Sequence, residues 1–481
     1  MPTKEPKPLS VNAPMLIVVA LICGGVLATE WLSHRYRVEL WSSLLALAMG
    51  GLLLFWGMRH HSPRHTTLRW IGLGVLIFSL GGVSLSTWRL NNTPPPPMQD
   101  MLWRVRTLSG ERLRAEGWQD DEGRWHNFSR TLYYRTDVEG GFRQGEELKI
   151  YAYWRGYRSG GFLYLTDDKL IVRQQGAPTP TEQINSWATE RIEKLELSAP
   201  TEALTKAMVL GDKLSVEQQT LRAYRESGVM HILALSGLHL AIIYLVINAF
   251  TSWTTMLPRG YRWRFLIAIA LVWIYALSVG APSSVVRAAV MFTIYLLGRA
   301  WSLPYSGVNA LASTVVLVVA LNPSMVWDVG LQLSGVAVAA ILLWFPPLRR
   351  AIPRSRHSVV NAIVDSMLIS VLCVVALTPI ISTTFGYIPL LGFLCAPIIL
   401  VTGYLIVILG AVWIIVPWLA LQPIFMLGLE GARMVQNSIV EEVASLSWGV
   451  VHFRATEEVV GMAYLLYLIV TVLLWWRVEK K

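Results

Sequence analysis

The sequence predicts a polytopic α-helical membrane protein with a small extracytoplasmic β-barrel domain inserted after three amino-terminal transmembrane helices. Hydrophobic residues make up 54% of the chain and charged residues only 15%, a balance that soluble globular proteins rarely reach. Most of the apolar residues lie in runs of the length that crosses a bilayer. Residues 98–175 differ, because short alternating stretches separated by Gly and Asp clusters predict β-strands there.

Three amino-terminal spans are predicted within residues 1–90, at roughly 14–29, 41–58 and 70–88. The loop between the second and third spans is basic, with Arg59, Arg64 and Arg69. Because short positive loops stay on the cytoplasmic side, this loop and the amino terminus are predicted to be cytoplasmic. The chain then emerges on the opposite face, where the consecutive prolines within 91–97 exclude a helix.

The predicted β domain at 98–175 has nearly balanced charge. Residues 91–175 contain 13 Lys or Arg and 12 Asp or Glu, so the formal charge of +10 for the whole chain does not indicate a basic nucleic-acid surface in this domain. Residues 182–228 follow, and their apolar positions spaced among charges predict amphipathic helices along the membrane surface.

A second membrane region is predicted at 229–477. Its spans are placed near 231–250, 264–280, 283–299, 307–321, 325–346, 359–381 and 459–476. The apolar run 391–428 is too long for one ordinary helix and contains Gly410, Pro417 and Pro423, so it is interpreted as two spans or as one span with a re-entrant segment. Basic loops at 259–264 and 349–356 are cytoplasmic in the same topology.

Two polar clusters interrupt these apolar runs. On a continuous helix, His231, Ser236 and His239 would lie within an arc of about 140° and could line one wet face. Gly237 belongs to the same predicted pore segment. The alternative is that His231 lies at the interface, Ser236 bonds a backbone carbonyl and Gly237 permits close helix packing. Both interpretations follow from the cost of unpaired polar groups in hydrocarbon.

The second cluster combines Ser283, Ser284 and Arg287 at the start of an apolar span. A buried arginine needs a partner, and Asp328 or Gln332, four residues apart on another predicted helix, could supply it. In the alternative, Arg287 snorkels to lipid headgroups and Asp328 caps its own helix.

These segments resemble, in the same order, the signature of ComEC-type competence proteins, the inner-membrane channels for DNA uptake. The three blocks are His231–His239, preceded by Leu210–Lys213, then Gly280–Ala288 and Asp328–Ser334. Together they cover most of the region from 204 to 390. The third block departs from the family pattern, because Leu331 stands where the family has Phe, a change that should alter packing more than polarity.

The resemblance implies a channel in the bacterial inner membrane that passes single-stranded transforming DNA into the cytoplasm. The β domain would then be the OB-like extracytoplasmic domain of the family. The implied partners are the lipid bilayer, a periplasmic DNA receptor and a cytoplasmic translocation ATPase that supplies energy. The sequence contains no Walker-type phosphate-binding loop, which agrees with a passive conduit.

Many members of this family carry a carboxy-terminal metallo-β-lactamase-like domain with a His-x-His-x-Asp-His metal motif. None of the nine His residues of this chain forms that motif, so we expect no such domain, no metal centre or cofactor, and no catalytic residues. A separate nuclease is then a candidate partner for degrading the other strand.

DNA passage also requires surfaces on which bases can stack. Tyr153, Trp154, Arg155, Tyr157 and Arg158 combine aromatic and basic side chains in one short run of the β domain, and they are the predicted DNA contacts. The alternative is that the aromatic residues form the core of the domain and the arginines are solvated.

Three other functions are compatible with parts of the pattern. A secondary transporter of a small solute would also use broken helices and buried ionisable groups. An intramembrane serine protease is disfavoured, because Ser236 and His239 lie on one predicted helix whereas a nucleophile and its base usually come from separate elements. A structural membrane anchor is the third.

Overall fold

The computed structural model describes residues 15–36, 47–49, 63–91, 100–107, 112–135, 146–157, 160–175, 180–213, 215–233, 235–256, 260–302, 306–446 and 449–479. These form two compact units. The first contains 1–108, 112–176 and 305–332, and the second contains 109–111, 177–304 and 333–481.

The amino-terminal part has two long helices followed by five strands. The helices are α1, Met15–Tyr36, and α2, Pro63–Asn91. The strands are β1, Asp100–Thr107, β2, Arg112–Gln119, β3, Trp125–Arg135, β4, Glu146–Tyr157, and β5, Gly160–Gln175. The second predicted span, 41–58, lies outside the described residues except for helical positions 47–49.

The middle of the chain is helical. Its helices are α3, Pro180–Glu193, α4, Ala199–Leu210, α5, Gln218–Glu226, α6, Met230–Leu233, α7, Gly237–Phe250, α8, Gly260–Ser278, and α9, Ser283–Ala300. Helices α8 and α9 lie where the sequence predicts spans at 264–280 and 283–299. The predicted span at 231–250 is divided between α6 and α7.

The last third is also mainly helical. Its elements are α10, Gly307–Leu321, α11, Val329–Ala351, α12, Ser358–Phe385, β6, Ile388–Pro389, α13, Gly392–Ile415, α14, Gln422–Ser445, β7, Val450–Val451, and α15, Glu457–Glu479. The apolar run at 391–428 therefore ends its first helix at Ile415, just before Pro417, and begins the next with Pro423 in its first turn. Proline fits a first turn because the missing N–H has no helical partner there.

Four helices are long and apolar enough to cross a membrane by length and composition, among the residues that the structure describes. They are Ser283–Ala300, Val329–Ala351, Ser358–Phe385 and Cys395–Ile415. Shorter apolar helices occur at Ile17–Glu30, Val75–Trp88, Gly237–Phe250, Gly307–Leu321 and Glu458–Leu474. This pattern is that of a multi-pass membrane protein.

The helices of the first unit pack through glycine. A Cβ added to Gly81 of α2 would collide with the backbone carbonyl oxygen of Ile22 in α1, and one added to Gly25 would collide with that of Phe78. Such close approach is how helices associate where hydrophobic burial gives little drive. Ser84 of α2 also donates to the carbonyl of Ala320 in α10, at 2.9 Å, so α10 belongs to this group of helices.

The five long strands of the first unit pair in a closed cyclic order. Strand β1 is antiparallel to β2 and β4, β2 is antiparallel to β3, and β4 is antiparallel to β5. A parallel pairing of β3 with β5 completes the barrel order β1-β2-β3-β5-β4. The closing pair joins only residues 133–135 of β3 to 162–164 of β5, and it shortens the free sheet edge at which a small β domain could associate with another.

Alternate residues of the strands fill the barrel interior. Trp103 and Val105 of β1, Leu113 of β2 and Phe128 of β3 are each at most 1% exposed. The Trp103 indole N–H donates to the carbonyl of Ala152 at 3.0 Å, so this large side chain is buried with its polar atom paired. The period of two predicted from the sequence is therefore the period of burial.

The burial of helix α4 contradicts the prediction that all of 182–228 lies along the membrane surface. Every residue from Ala203 to Leu210 is buried, and α4 packs within the largest hydrophobic cluster of the second unit. A Cβ on Gly403 of α13 would lie 3.2 Å from Met208 Cε, and one on Gly410 would lie 2.9 Å from Val209 Cγ2, so α13 packs closely on α4. The surface interpretation fits α3 better, since Trp187 is 43% exposed.

We predict that Gly81→Ala lowers the apparent melting temperature of the purified protein, because the new methyl group collides with the Ile22 carbonyl. Gly461→Ala is the matched control, since a Cβ there meets nothing within 4 Å. In a helix Ala is favoured over Gly by about 1 kcal/mol, so the control should be neutral or stabilising. Equal effects of both substitutions would contradict the proposed close contact.

Candidate functional site

The first polar motif lies at an interruption between two helices. Helix α6 ends at Leu233 and α7 begins at Gly237, with Ser236 extended at φ −124° and ψ 170°. The predicted continuous helix through His231, Ser236 and His239 is therefore wrong, and the arc of about 140° calculated for it does not apply. A helix end leaves backbone N–H and C=O groups without helical partners, and these must be satisfied by other groups.

Ser236 and His239 satisfy the N–H groups at the start of α7. The Ser236 hydroxyl accepts from the N–H of Leu238 at 3.2 Å, and His239 Nδ1 accepts from the N–H of Ser236 at 3.3 Å. This is a capping box in which imidazole takes the place usually held by Glu or Gln. The same Nδ1 lies 2.9 Å from the Ser236 hydroxyl, which can donate to it.

His239 is only 6% exposed. Because its Nδ1 accepts from the N–H of Ser236, the proton of the neutral ring lies on Nε2. One buried imidazole thus caps the helix that begins after the interruption.

The second motif supplies the remaining partner. Ser284, in the first turn of α9, donates its hydroxyl to the carbonyl of Leu235 at 2.7 Å. A Cβ on Gly237 would lie 3.2 Å from the Cβ of Ala288, so α7 and α9 approach closely. The structure therefore brings the first two motifs together, and the amino-terminal ends of α7 and α9 meet beside the interruption.

A cleft lies on one side of the interruption. His231, Ser236 and His239 line it together with Met208 of α4 and Gly403 and Tyr404 of α13. His231 is exposed, whereas His239 is buried. The motif residues thus line a recess whose accessible surface is almost entirely apolar.

Arg287 lies one turn into α9 and is 3% exposed. This burial within the protein contradicts the interpretation in which Arg287 snorkels to lipid headgroups. Ser283, the first residue of α9, is half-buried. Three of the predicted pore residues, Ser283, Ser284 and Arg287, therefore lie in the first five positions of the helix that packs on Gly237.

Residues 328–332 of the third motif belong to the first unit. Asp328 caps α11, because its Oδ1 accepts from the N–H of Leu331 at 2.6 Å, and Gln332 donates to the carbonyl of Val326 at 3.0 Å. The interpretation that Asp328 caps its own helix is therefore confirmed. Leu331 is 5% exposed and packs with α1, α2 and α10. An ion pair between Asp328 and Arg287 stays a prediction.

The predicted DNA contacts lie at the end of β4. Tyr153, Arg155 and Tyr157 pair in register with Tyr164, Phe162 and Gly160 of β5. The side chains of this segment, including Trp154, and the whole of Arg158 lie outside the described residues. Their contact with DNA stays a prediction.

A polar seam between α4, α5 and α14 was not predicted from the sequence. Glu430 of α14 accepts from the N–H of Ser198 at 2.8 Å and from the Thr201 hydroxyl, and Arg433 donates to Thr201 at 2.7 Å. One turn further, the Tyr224 hydroxyl donates to Asn437 at 2.9 Å. The spacing of polar residues at 430, 433 and 437 is the signal that could have revealed this face.

The barrel also carries an aromatic and basic surface that the sequence interpretation missed. The Arg104 guanidinium lies 4.6 Å from the ring centroid of Trp125, and His126 stacks on Trp118 at 4.4 Å. Hydrogen bonds from His126 and from Arg124 hold the pKa of Asp120 well below its usual value. These contacts order the turn between β2 and β3.

The described side chains of this site interact through hydrogen bonds. Among the described residues, no group of three or more His, Cys, Asp or Glu side chains is placed to hold a metal ion. Ser236 and His239 have the separation of a nucleophile and a base, but both already bond the backbone at the helix interruption. The arrangement orients the two helix ends beside the cleft.

Comparisons with known proteins give a consistent family match. The family model described as "Competence protein" matches residues 208–478, which include the helix interruption and all of α9. The chain is 30% identical over 140 residues to "ComE operon protein 3" of Bacillus subtilis (strain 168), covering 29% of this chain and 18% of that protein.

A second relative is the "Uncharacterized protein YcaI" of Escherichia coli (strain K12). It is 26% identical over 221 residues, which cover 42% of this chain and 29% of that protein. The matches thus span less than a third of the length of either relative. No solved structure matches the chain.

We predict that Ser284→Ala destabilises the protein, because the Leu235 carbonyl loses its donor at the helix interruption. A buried polar group left unsatisfied costs about 1–3 kcal/mol, and the loss should appear as a lower apparent melting temperature. Ser370→Ala is the control, since that hydroxyl bonds only the Ser366 carbonyl within its own helix, at 2.9 Å. If the two variants melted alike, Ser284 would not be supporting the interruption.

Proposed function

We propose, because this chain belongs to the competence protein family, that it passes one strand of transforming DNA across the inner membrane into the cytoplasm. The observation that carries this proposal is the meeting of two helix amino termini, those of α7 and α9, beside a cleft lined by polar motif residues. The family match covers both helices and the cleft.

This geometry suits a polyanion. Helix amino termini carry a partial positive charge that favours phosphate, and at α7 this charge acts beside N–H groups that Ser236 and His239 already cap. The buried Arg287 adds a full positive charge in the first turns of α9. A phosphodiester chain moving through an apolar layer needs such fixed positive ends to replace its hydration. We therefore assign the translocation path to His231, Ser236, Gly237, His239, Ser283, Ser284 and Arg287. Asp328 and Gln332 belong to the other compact unit, and their part in the path stays a prediction.

Ser236 and Ser284 have a second role in this scheme. Each of them bonds the backbone at the interruption, which keeps the cleft open. Gly237 lines the path only through its backbone, because Ala288 lies against it. The residues best placed to meet a passing strand are His231, which is exposed, and Tyr404, which lines the same cleft.

The barrel would act before the membrane step. We propose that it is the OB-like domain of the family, that it lies on the extracytoplasmic face, and that Tyr153, Trp154, Arg155, Tyr157 and Arg158 receive the strand. Closed barrels with exposed aromatic and basic side chains bind single strands by stacking and by phosphate contact. The pairing of Arg104 with Trp125 is a second surface of this chemistry.

The chain is proposed to be a conduit rather than an enzyme or a motor. Energy would come from a cytoplasmic translocation ATPase, DNA would be delivered by a periplasmic receptor, and a separate nuclease would degrade the other strand. The amino terminus would be cytoplasmic, following the positive-inside rule.

Deleting the gene should abolish entry of radiolabelled DNA into the cytoplasm while leaving binding of DNA at the cell exterior intact. The reason is that the proposed step lies between those two events. Cytoplasmic and surface-bound label are separated by nuclease treatment of intact cells. Normal transformation in the deletion strain would refute the proposal. If the strain lost uptake of a small solute and still took up DNA, the result would favour a secondary transporter.

Arg287→Ala should reduce DNA uptake by at least an order of magnitude, since about 1.4 kcal/mol of lost electrostatic stabilisation is already tenfold. The amount of protein in the membrane is measured in parallel by immunoblotting. Arg299→Ala removes an exposed arginine from the last turn of the same helix and should leave uptake near the wild-type level. Equal uptake by wild-type protein and a stably inserted Arg287→Ala variant would remove Arg287 from the path.

A further inference from the structure

The loop between α11 and α12 is cationic and ordered at the same time. Arg350, Arg354 and Arg356 are exposed, as is His357. The positive-inside rule accounts for their charge, but it requires no particular conformation of the loop. The structure nevertheless fixes this loop through the buried side chain of Arg349 and the partly buried side chain of Asn361.

Arg349 holds the loop from its amino-terminal side. Although it belongs to the same basic run, its side chain is 8% exposed and forms an ion pair with Asp365 of α12. It also donates to the carbonyl of Ile352 at 3.1 Å and to Asn361 Oδ1 at 3.2 Å. One arginine of the run is therefore used internally, and it positions the others.

Asn361 holds the loop from its carboxy-terminal side. Its Oδ1 accepts from the N–H of Ser355 at 3.0 Å, and its Nδ2 donates to the carbonyls of Ser355 at 2.8 Å and His357 at 3.2 Å. The N–H of His357 in turn donates to the Ser355 hydroxyl at 3.2 Å. The backbone between Arg354 and His357 is thus ordered around a single amide.

The surroundings of the loop place it beside lipid. Helix α12 is one of the helices able to cross a membrane, and its first turns expose Val359 by 71% and Ile363 by 46%. Apolar side chains exposed at the end of a spanning helix lie at the boundary of the hydrocarbon. Arg354 and Arg356, immediately before them, then lie at the depth of the headgroups.

We propose that residues 350–357 form a binding site for the headgroup of an anionic phospholipid. Arg354 and Arg356 supply donors to the phosphate, while Arg349, Asp365 and Asn361 fix the loop so that little order is lost on binding. This site is separate from the proposed DNA path and does not depend on it.

The test uses the purified full chain in nanodiscs of phosphatidylcholine containing a minor fraction of spin-labelled phosphatidylglycerol. The wild-type protein should hold the labelled anionic lipid in preference to labelled phosphatidylcholine. Each basic residue near an anionic surface contributes about fivefold to association, so Arg354→Gln with Arg356→Gln should reduce the preference at least about tenfold. The double variant Arg262→Gln with Arg299→Gln removes the same charge from other exposed positions. This control should retain most of the preference for the anionic lipid.

Asn361→Ala separates a built site from charge alone, because it leaves every arginine in place while removing the loop's internal bonds. We expect it to reduce the preference severalfold, with unchanged elution of the folded protein in size-exclusion chromatography. Wild-type preference in Asn361→Ala, or equal losses in the two double variants, would overturn the proposal. Displacement of the labelled lipid by a single-stranded oligodeoxynucleotide would do so as well, since it would assign the loop to nucleic acid.

Discussion

An interrupted helix in apolar surroundings must find partners for the backbone groups that it no longer pairs internally, and this requirement organises the second unit. Leaving one such group unpaired costs about 1–3 kcal/mol. At the interruption after Leu233, His239 and Ser236 satisfy the N–H groups of the new helix, and Ser284 satisfies the Leu235 carbonyl. The motif side chains therefore stabilise the interruption in the backbone, and contact with a ligand would be an additional role.

The same requirement explains why small residues surround the interruption. Gly237 allows α9 to approach near enough for Ser284 to reach across, and Gly403 allows α13 to pack on Met208 and Ile232. A larger side chain at either position would push apart the helices whose contacts satisfy the backbone groups at the interruption. Polar caps and close helix packing are thus two parts of one arrangement, which differs from a simple row of polar residues along a helix.

The sequence predicted continuous helices well and the interruption after Leu233 poorly, for physical reasons. Helices such as α9 and α12 are continuous apolar segments with clear ends, so length and hydropathy place them. Nothing in the hydropathy of 231–250 marks a break, and the capping box is disguised because its third residue is His239 instead of Glu or Gln. Burial of α4 could not be predicted either, since its charged residues suggest a surface helix. Lys206 is 8% exposed only because it pairs with Glu193 and Glu202.

The hydrogen bond that Glu430 of α14 accepts from the N–H of Ser198, just before α4, has a consequence for how the protein is made. The two residues are 232 positions apart in the chain, so at the usual rate of translation they are synthesised on the order of ten to fifty seconds apart. During that interval the first turn of α4 must rely on water or on the insertion machinery for its hydrogen bonds. The packing of α14 on α4 is therefore a late event, and the rate of translation limits it more than the folding rate of the helices themselves.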